Sequence, residues 1–178
     1  MPTSWSQDAY LEAYRFAAEA HLGQLCPGTE ISYLMHIGFV SMEVLAALAA
    51  EEYDDGDLAV CCALLHDTVE DTEVSREDVA ERFGDAVAAG VAALSKDSSL
   101  AKSERMADSL RRIRAQPREV WLVKLADRIS NLAPPPAHWS AEKTTAYREE
   151  AQEILDALGE ASPFLSARLA ERIDAHAR

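Results

Sequence analysis

The chain has 178 residues, 48% hydrophobic and 27% charged, which is typical of one globular domain. Its formal net charge of −14 excludes broad nucleic-acid binding, because that affinity depends on Lys and Arg side chains that neutralise phosphates. The two longest apolar runs, 58–65 and 86–94, are too short to span a membrane, and three cysteines without a CxxC pair or a signal-peptide pattern favour a reducing cytoplasm.

Apolar residues at helical spacing predict an all-α protein. We expect a single domain over residues 1–178, built as a bundle of about eight helices, with its core at about 10–160 and a C-terminal helix at about 163–176. No glycine-rich phosphate loop and no alternating strand pattern are present, which excludes Rossmann and P-loop folds. The predicted helices cover 7–22, 33–51, 58–65, a segment that begins at Ser75, 103–115, 118–133, 140–158 and 163–176.

Local signals place several of the helix ends. Ser75 with Asp78 approximates a capping box, although Asp in place of Glu makes a weak one. Gly159 is expected to end the helix that Ser140 caps. The run Pro134–Pro136 is expected to stop the helix before it. The acidic stretch 51–57, with Asp-Gly inside it, predicts a turn.

Basic residues are concentrated in one part of this acidic chain. Residues 96–128 hold nine of the 17 Lys and Arg side chains against five acids, so this stretch carries +4 and the remainder −18. Such a distribution can attract a small anionic molecule to one surface while the rest of the protein stays acidic. The alternative is a solvated helix face on which the charges form ion pairs.

A dense acidic cluster follows the buried run 58–65. His66, Asp67, Glu70 and Asp71 place four ionisable groups within six residues, and three of them are acids that repel one another. If helical geometry continues, His66 faces Glu70 and Asp67 faces Asp71. A divalent cation would remove the repulsion, whereas the alternative is a solvated acidic turn.

Two distant residues complete a set of metal-ligand types. His36 lies within a mostly apolar helix, and Asp127 lies on a helix whose polar stripe is formed by Lys124, Asp127 and Asn131. Together with His66 and Asp67 they offer two imidazoles and two carboxylates from three helices. This mixed nitrogen and oxygen set suits Mn²⁺, Fe²⁺ or Zn²⁺, with a preference for Mn²⁺ because half of the ligands are hard oxygens.

The order His, His-Asp, Asp resembles the HD superfamily of metal-dependent phosphohydrolases. Five motifs resemble more closely the small alarmone hydrolases, which are stand-alone relatives of the Rel/SpoT hydrolase domain: LLHDTVEDT (64–72), FG (83–84), LAKSER (100–105), VKLADRISNL (123–132) and HWSAEKTTAY (138–147). The resemblance spans roughly residues 10–160. It implies the all-α HD fold and removal of the 3′-pyrophosphate from guanosine tetra- or pentaphosphate.

The same resemblance implies roles for individual residues. One Mn²⁺ ion would be held by His36, His66, Asp67 and Asp127. Glu70 and Asp71 match the acidic pair that activates the attacking water. The positions that match contacts to the ribose or the phosphates of a small-molecule nucleotide are Lys102, Asn131, Lys143 and Tyr147.

Two departures from the family pattern bear on the substrate. The family has an Arg-Lys pair about ten residues before the first ligand His, whereas this chain has no basic residue between Arg15 and Arg76. The family also has Pro after that His, where this chain has Ile37. Two alternatives therefore stand beside the alarmone hypothesis. One is an HD phosphatase for another nucleotide, such as an adenosine analogue, a nucleotide monophosphate or NADPH, and the other is a non-catalytic nucleotide-sensing module. The oligomeric state is not predicted.

Overall fold

Helices make up nearly all of the regular structure. The computed structural model describes residues 3–132 and 140–176. Within these ranges ten α-helices occur where about eight were expected, and the all-α prediction is confirmed. They are α1 (Gln7–Ala20), α2 (Leu34–Ala50), α3 (Gly56–Leu65), α4 (Thr68–Asp71), α5 (Arg76–Phe83), α6 (Asp85–Leu94), α7 (Arg105–Arg114), α8 (Arg118–Asn131), α9 (Ala141–Leu158) and α10 (Pro163–His176), with a 3₁₀ turn at Gly159–Ala161 before α10.

Local capping explains several of these boundaries. Ser75 and Asp78 form a complete capping box, because each side chain accepts a hydrogen bond from the backbone N–H of the other. α5 ends at Gly84, whose φ of 87° is readily adopted only by glycine, and α6 starts directly afterwards. Ser140 caps α9 as predicted. The predicted stop at Pro134–Pro136 lies outside the described residues.

Three helices form the centre of the fold. α2, α3 and α8 pack against one another, and every residue of α3 except Asp57 is buried. α1 and α6 cover α3, while α9 and α10 cover α8. The composition of 58–65, which is apolar on all sides of the helix, predicts a buried helix, and the packing of α3 confirms this prediction.

α3 stops one residue before the His-Asp dipeptide. The Thr68 hydroxyl donates to the carbonyl of Leu65 at 2.7 Å and so satisfies an acceptor that the next helical turn would have used. His66 and Asp67 occupy the break between α3 and the single-turn helix α4. The regular helix is therefore interrupted at the His-Asp dipeptide.

No helix among the described residues is both long and apolar enough to cross a membrane.

Close packing of α6 on α3 and α8 gives a first prediction. A Cβ atom at Gly90 would lie 2.6 Å from Cys62 Sγ and 3.0 Å from Val120 Cγ2, whereas a Cβ at Gly38 in α2 would meet no atom within 4 Å. We expect Gly90→Ala to lower the free energy of unfolding by about 1–3 kcal/mol through overpacking. Gly38→Ala should leave it unchanged or raise it by up to about 1 kcal/mol. Urea unfolding of both variants measures the difference, and equal stabilities would contradict the packing described here.

Candidate metal centre and active site

The three central helices bring the four predicted ligands to one point. His36 lies in the first turn of α2, His66 and Asp67 follow α3, and Asp127 lies in α8. The two histidines and Asp127 are at most 9% exposed. Burying ionisable groups in this way is unfavourable unless they are paired or bind a cation.

The side chains of this ligand group, His36, His66, Asp67 and Asp127, converge through specific atoms. The Nε2 atoms of His36 and His66 are 3.2 Å apart. Asp67 Oδ2 lies 2.8 Å from Nε2 of His66 and 3.4 Å from Nε2 of His36. Asp127 Oδ1 lies 4.0 Å and 3.5 Å from the same two nitrogens. Ligand atoms at adjacent positions around an octahedral cation are about 3 Å apart, so these spacings suit a shared metal ion.

Hydrogen-bond partners at Nδ1 orient both imidazole rings, so that the two Nε2 atoms face the same space. His66 Nδ1 is 2.9 Å from the carbonyl oxygen of Ala63, and His36 Nδ1 is 3.1 Å from Ser130 Oγ. Metal-binding histidines commonly use the second ring nitrogen in this way. Among the described residues, the ligand atoms of His36, His66 and Asp67 lie close enough together to hold one ion, whereas Asp127 falls outside that group. The chemistry of the donor set therefore fits a divalent cation.

The charged side chains of the ligand group shift one another's pKa values. Burial alone would lower the pKa of His66, but the charges of Asp67 and Asp127 outweigh burial and raise that pKa from 6.5 to about 9. Burial raises the pKa of Asp67, yet the positive charge of His66 and hydrogen bonds from both histidines hold it well below its usual range. The two carboxylates of the ligand group therefore favour positive charge at the histidines.

Two further residues of α8 hold Asp127. Lys124 Nζ donates to Oδ2 at 3.0 Å, and Asn131 Nδ2 donates to Oδ1 at 2.6 Å. Against the effect of burial, Lys124 and His66 lower the pKa of Asp127. The polar stripe Lys124, Asp127 and Asn131 therefore assembles as the sequence predicts, and the predicted substrate residue Asn131 contacts a candidate metal ligand.

The acidic pair, Glu70 and Asp71, lies on α4 next to the ligand group. Glu70 Oε2 accepts the backbone N–H of Lys96 at 2.8 Å, and Glu70 Oε1 lies 3.8 Å from Lys96 Nζ. Asp71 Oδ2 accepts from Gln24 Nε2 at 3.4 Å. Both acids remain separate from the four converging ligand atoms, so they are available for another role.

One cavity of about 220 Å³ joins these groups. Its lining contains the carboxylates of Asp67, Glu70, Asp71 and Asp127, and two cations, Lys96 and Lys124. Lys96 is half-exposed, whereas Lys124 is buried against Asp127. With His66 neutral, as a metal-binding imidazole must be, four negative and two positive side chains leave the cavity with an excess of two negative charges, which a divalent cation would balance.

The remaining predicted substrate residues lie away from this lining. Lys102 is exposed in the turn before α7, and Lys143 lies in the first turn of α9. The ring of Tyr147 packs under the guanidinium of Arg128, whose Cζ is 4.5 Å from the ring centroid. The segment 133–139 between α8 and α9 is outside the described residues. Substrate contacts by these three residues stay predictions.

Sequence reasoning missed two residues of the cavity. The Tyr33 hydroxyl donates to Asp67 Oδ2 at 2.6 Å, and burial together with the charge of Asp67 raises the pKa of Tyr33. Tyr33 precedes His36 by three residues, a spacing that places both on one face of a helical turn and was available as a signal. Lys96 was seen only as part of the basic stretch, because its approach to Glu70 joins residues 26 positions apart.

Comparisons with known proteins agree with the fold. A family model described as "HD domain" matches residues 13–163. The zebrafish (Danio rerio) guanosine-3′,5′-bis(diphosphate) 3′-pyrophosphohydrolase MESH1 is 36% identical over 155 residues, which cover 83% of each chain. A Myxococcus xanthus GTP pyrophosphokinase is 37% identical over 156 residues, but this chain spans only 20% of its length.

A solved structure extends the similarity to three dimensions. It belongs to a protein described as a metazoan ortholog of SpoT that hydrolyzes ppGpp. It superimposes with a TM-score of 0.82 at 29% identity and covers 97% of this chain and 98% of the other.

Metal binding by the ligand group gives a second prediction. A ligand present at about 100 times its dissociation constant stabilises the folded state by about 2.7 kcal/mol, or roughly 5–10 °C in melting temperature for a chain of this size. We expect this increase when Mn²⁺ is added to chelator-treated protein, and we expect Asp127→Asn to lose most of it. Asp108→Asn removes an acid that pairs with Arg111 and Arg112 on α7 and should keep the full increase. Equal melting shifts in the two variants would argue against Asp127 as a ligand.

The pKa of His66 gives a third prediction. A group whose pKa is higher in the folded than in the unfolded state stabilises the fold below the unfolded value, and this contribution disappears as the pH passes the folded value. The metal-free protein should therefore lose stability between about pH 6.5 and pH 9. Urea midpoints in EDTA across this range measure the loss, with His66→Gln as the control that should remove it. A wild-type midpoint that does not fall would contradict the raised pKa.

Proposed function

The chain belongs to the HD domain family, and from this we propose that it is a metal-dependent hydrolase that removes the 3′-pyrophosphate from guanosine tetra- or pentaphosphate. The reaction would add water to phosphorus, break the bond between that phosphorus and the 3′-oxygen, and release pyrophosphate. The names of the similar MESH1 proteins and of the similar solved structure support this substrate class.

One shared cavity supports the proposal most strongly. The candidate metal ligands Asp67 and Asp127 and the acidic pair line the same space of about 220 Å³. A hydrolase for phosphate anions needs positive charge for the phosphate and a base for water, and it needs them close together. A site reduced to ligand sensing would have no need of the acidic pair.

His36, His66, Asp67 and Asp127 would hold the metal ion. When bound, a divalent cation neutralises phosphate charge and lowers the pKa of water. We propose Mn²⁺ because two of the four ligands are carboxylates, with Fe²⁺ and Zn²⁺ as the alternatives that a metal panel would distinguish.

Glu70 is the best-placed general base. Its carboxylate lines the cavity, and the backbone N–H of Lys96 fixes one oxygen at 2.8 Å. That bond orients the side chain and leaves Oε1 able to accept a proton from water. Asp71, one residue further along α4, also lines the cavity and is the second candidate for this role.

Two cations contribute to the cavity. Lys96 follows α6 and Lys124 belongs to α8, and both line the cavity. Lys124 is committed to Asp127 at 3.0 Å, whereas the half-exposed Lys96 ammonium is 3.8 Å from Glu70 and can also reach an entering phosphate. We therefore expect Lys96 to contribute to phosphate binding.

A second candidate function rests on the lack of basic residues in the segment that leads to the first candidate ligand, His36. No Lys or Arg occurs between Arg15 and Arg76, so the segment that joins α1 to α2 brings no cation to the cavity. A nucleotide with a different base or fewer 5′-phosphates, or NADPH, is therefore the alternative substrate for the same metal chemistry.

Substitution of Glu70 gives a fourth prediction. Glu70→Gln keeps an oxygen that can accept the Lys96 N–H, so metal binding should be unchanged. Loss of a general base should reduce turnover by about 10²–10⁴-fold. Glu73→Gln is the matched control, because it makes the same change three residues further on at an exposed side chain and should retain activity.

A substrate panel completes this experiment. It contains guanosine and adenosine 3′-pyrophosphates with zero to three 5′-phosphates, NADPH and deoxynucleotide monophosphates, each with Mn²⁺. Pyrophosphate release from the guanosine compounds supports the alarmone reaction. Turnover of another member of the panel alone would assign that compound as the substrate. Wild-type activity in Glu70→Gln would exclude Glu70 as the base.

A further inference from the structure

Every candidate ligand has a partner that fixes its orientation, and for Asp67 that partner is a tyrosine. His36, His66 and Asp127 are held by Ser130, by the Ala63 carbonyl, and by Lys124 with Asn131. Asp67 lies in the break between α3 and α4, so no helical neighbour restrains its side chain. Outside the ligand group, its hydrogen-bond partner among the described side chains is the Tyr33 hydroxyl, at 2.6 Å.

The hydroxyl contacts the carboxylate oxygen that faces the histidines. Tyr33 donates to Oδ2, and Oδ2 is also the atom that lies 2.8 Å from His66 Nε2 and 3.4 Å from His36 Nε2. A carboxylate can rotate about its bond to Cβ, and rotation would carry this oxygen away from the two nitrogens. The tyrosine bond opposes such rotation.

Tyr33 itself is held firmly. Its ring lies between two imidazoles, with centroid distances of 5.1 Å to His21 and 5.2 Å to His36. Its backbone N–H donates to the carbonyl of Gln24 at 3.0 Å, and its carbonyl accepts the N–H of His36 at 2.9 Å. A short bridge between Leu25 and Ser32 closes the loop that precedes it.

Tyr33 thereby links two ligands that come from different helices. Its backbone precedes α2, which carries His36. Its side chain reaches Asp67, which lies two residues after the end of α3. The separation of His36 and Asp67 is set by one rigid aromatic side chain as well as by helix packing. Ligands that are pre-arranged in this way lose less conformational entropy when an ion binds.

We infer that Tyr33 is a positioning residue of the metal site, whose hydroxyl holds the Asp67 carboxylate in the orientation that a divalent cation requires. This inference depends on the proposed metal site but not on the proposed substrate. It assigns to Tyr33 no contact with the reacting atoms.

Tyr33→Phe removes the hydroxyl and keeps the ring. Partners of this kind typically contribute 10–100-fold to metal affinity, so we expect Mn²⁺ to bind 10–100-fold more weakly. The matched control is Tyr53→Phe, which removes a hydroxyl that hydrogen-bonds Glu51 and the Ala161 carbonyl away from the ligand group. Its Mn²⁺ affinity should stay within about threefold of wild type.

The measurement is a titration of the full chain with Mn²⁺, in which the electron paramagnetic resonance signal of the free ion gives the bound fraction. Circular dichroism of the metal-free variants verifies that each is folded.

Tyr33→Met, which lacks both ring and hydroxyl, is the second variant and should bind Mn²⁺ no better than Tyr33→Phe. With excess Mn²⁺, Tyr33→Phe should regain turnover of whichever panel substrate the wild type cleaves, which a purely structural defect would not allow.

Three results would overturn the inference. If Tyr33→Phe binds Mn²⁺ like the wild type while Tyr33→Met does not, the ring rather than the hydroxyl matters. If Tyr33→Phe and Tyr53→Phe weaken binding equally, the effect is general destabilisation. A wild-type protein that binds no Mn²⁺ would remove the metal site and this inference together, whereas Mn²⁺ binding without turnover of alarmones would remove only the proposed substrate.

Discussion

The structure depends on the close approach of four ionisable side chains inside an apolar helical core. The ligand atoms of His36, His66 and Asp67 lie close enough together for one ion, and Asp127 Oδ1 lies within 4.0 Å of Nε2 of both histidines. Hydrophobic burial alone would expel them. A divalent cation, as the HD domain family implies, would stabilise this arrangement and link α2, α3 and α8, and the charges of the two carboxylates that raise the pKa of His66 would also favour binding of the cation.

The end of α3 also contributes to bringing these ionisable side chains together. α3 ends at Leu65 because the Thr68 hydroxyl takes the helix-terminal carbonyl, and the break frees both His66 and Asp67 to face the other ligands. The next turn, α4, then projects the acidic pair into the same cavity. The interruption therefore serves the chemistry as well as the fold.

Much of the fold could be predicted from the sequence. Apolar periodicity and caps placed most helices within about two residues, and residue types and family motifs identified four candidate ligands that the fold brings near one another. The Gly84 break between α5 and α6 was missed because a lone glycine also occurs inside helices. Tyr33 and Lys96 were missed because their partners, Asp67 and Glu70, are 34 and 26 positions away. Such pairings depend on how helices pack, which periodicity does not encode.

Anomalous diffraction at the manganese absorption edge, from crystals grown with Mn²⁺, tests the central claim most directly. We predict one strong peak roughly 2.0–2.2 Å from Nε2 of His36 and His66 and from one carboxylate oxygen each of Asp67 and Asp127, the range in which imidazole and carboxylate groups bind divalent metals such as zinc. A peak at Glu70 and Asp71 alone, or no peak in the cavity, would contradict a shared metal site formed by these four residues.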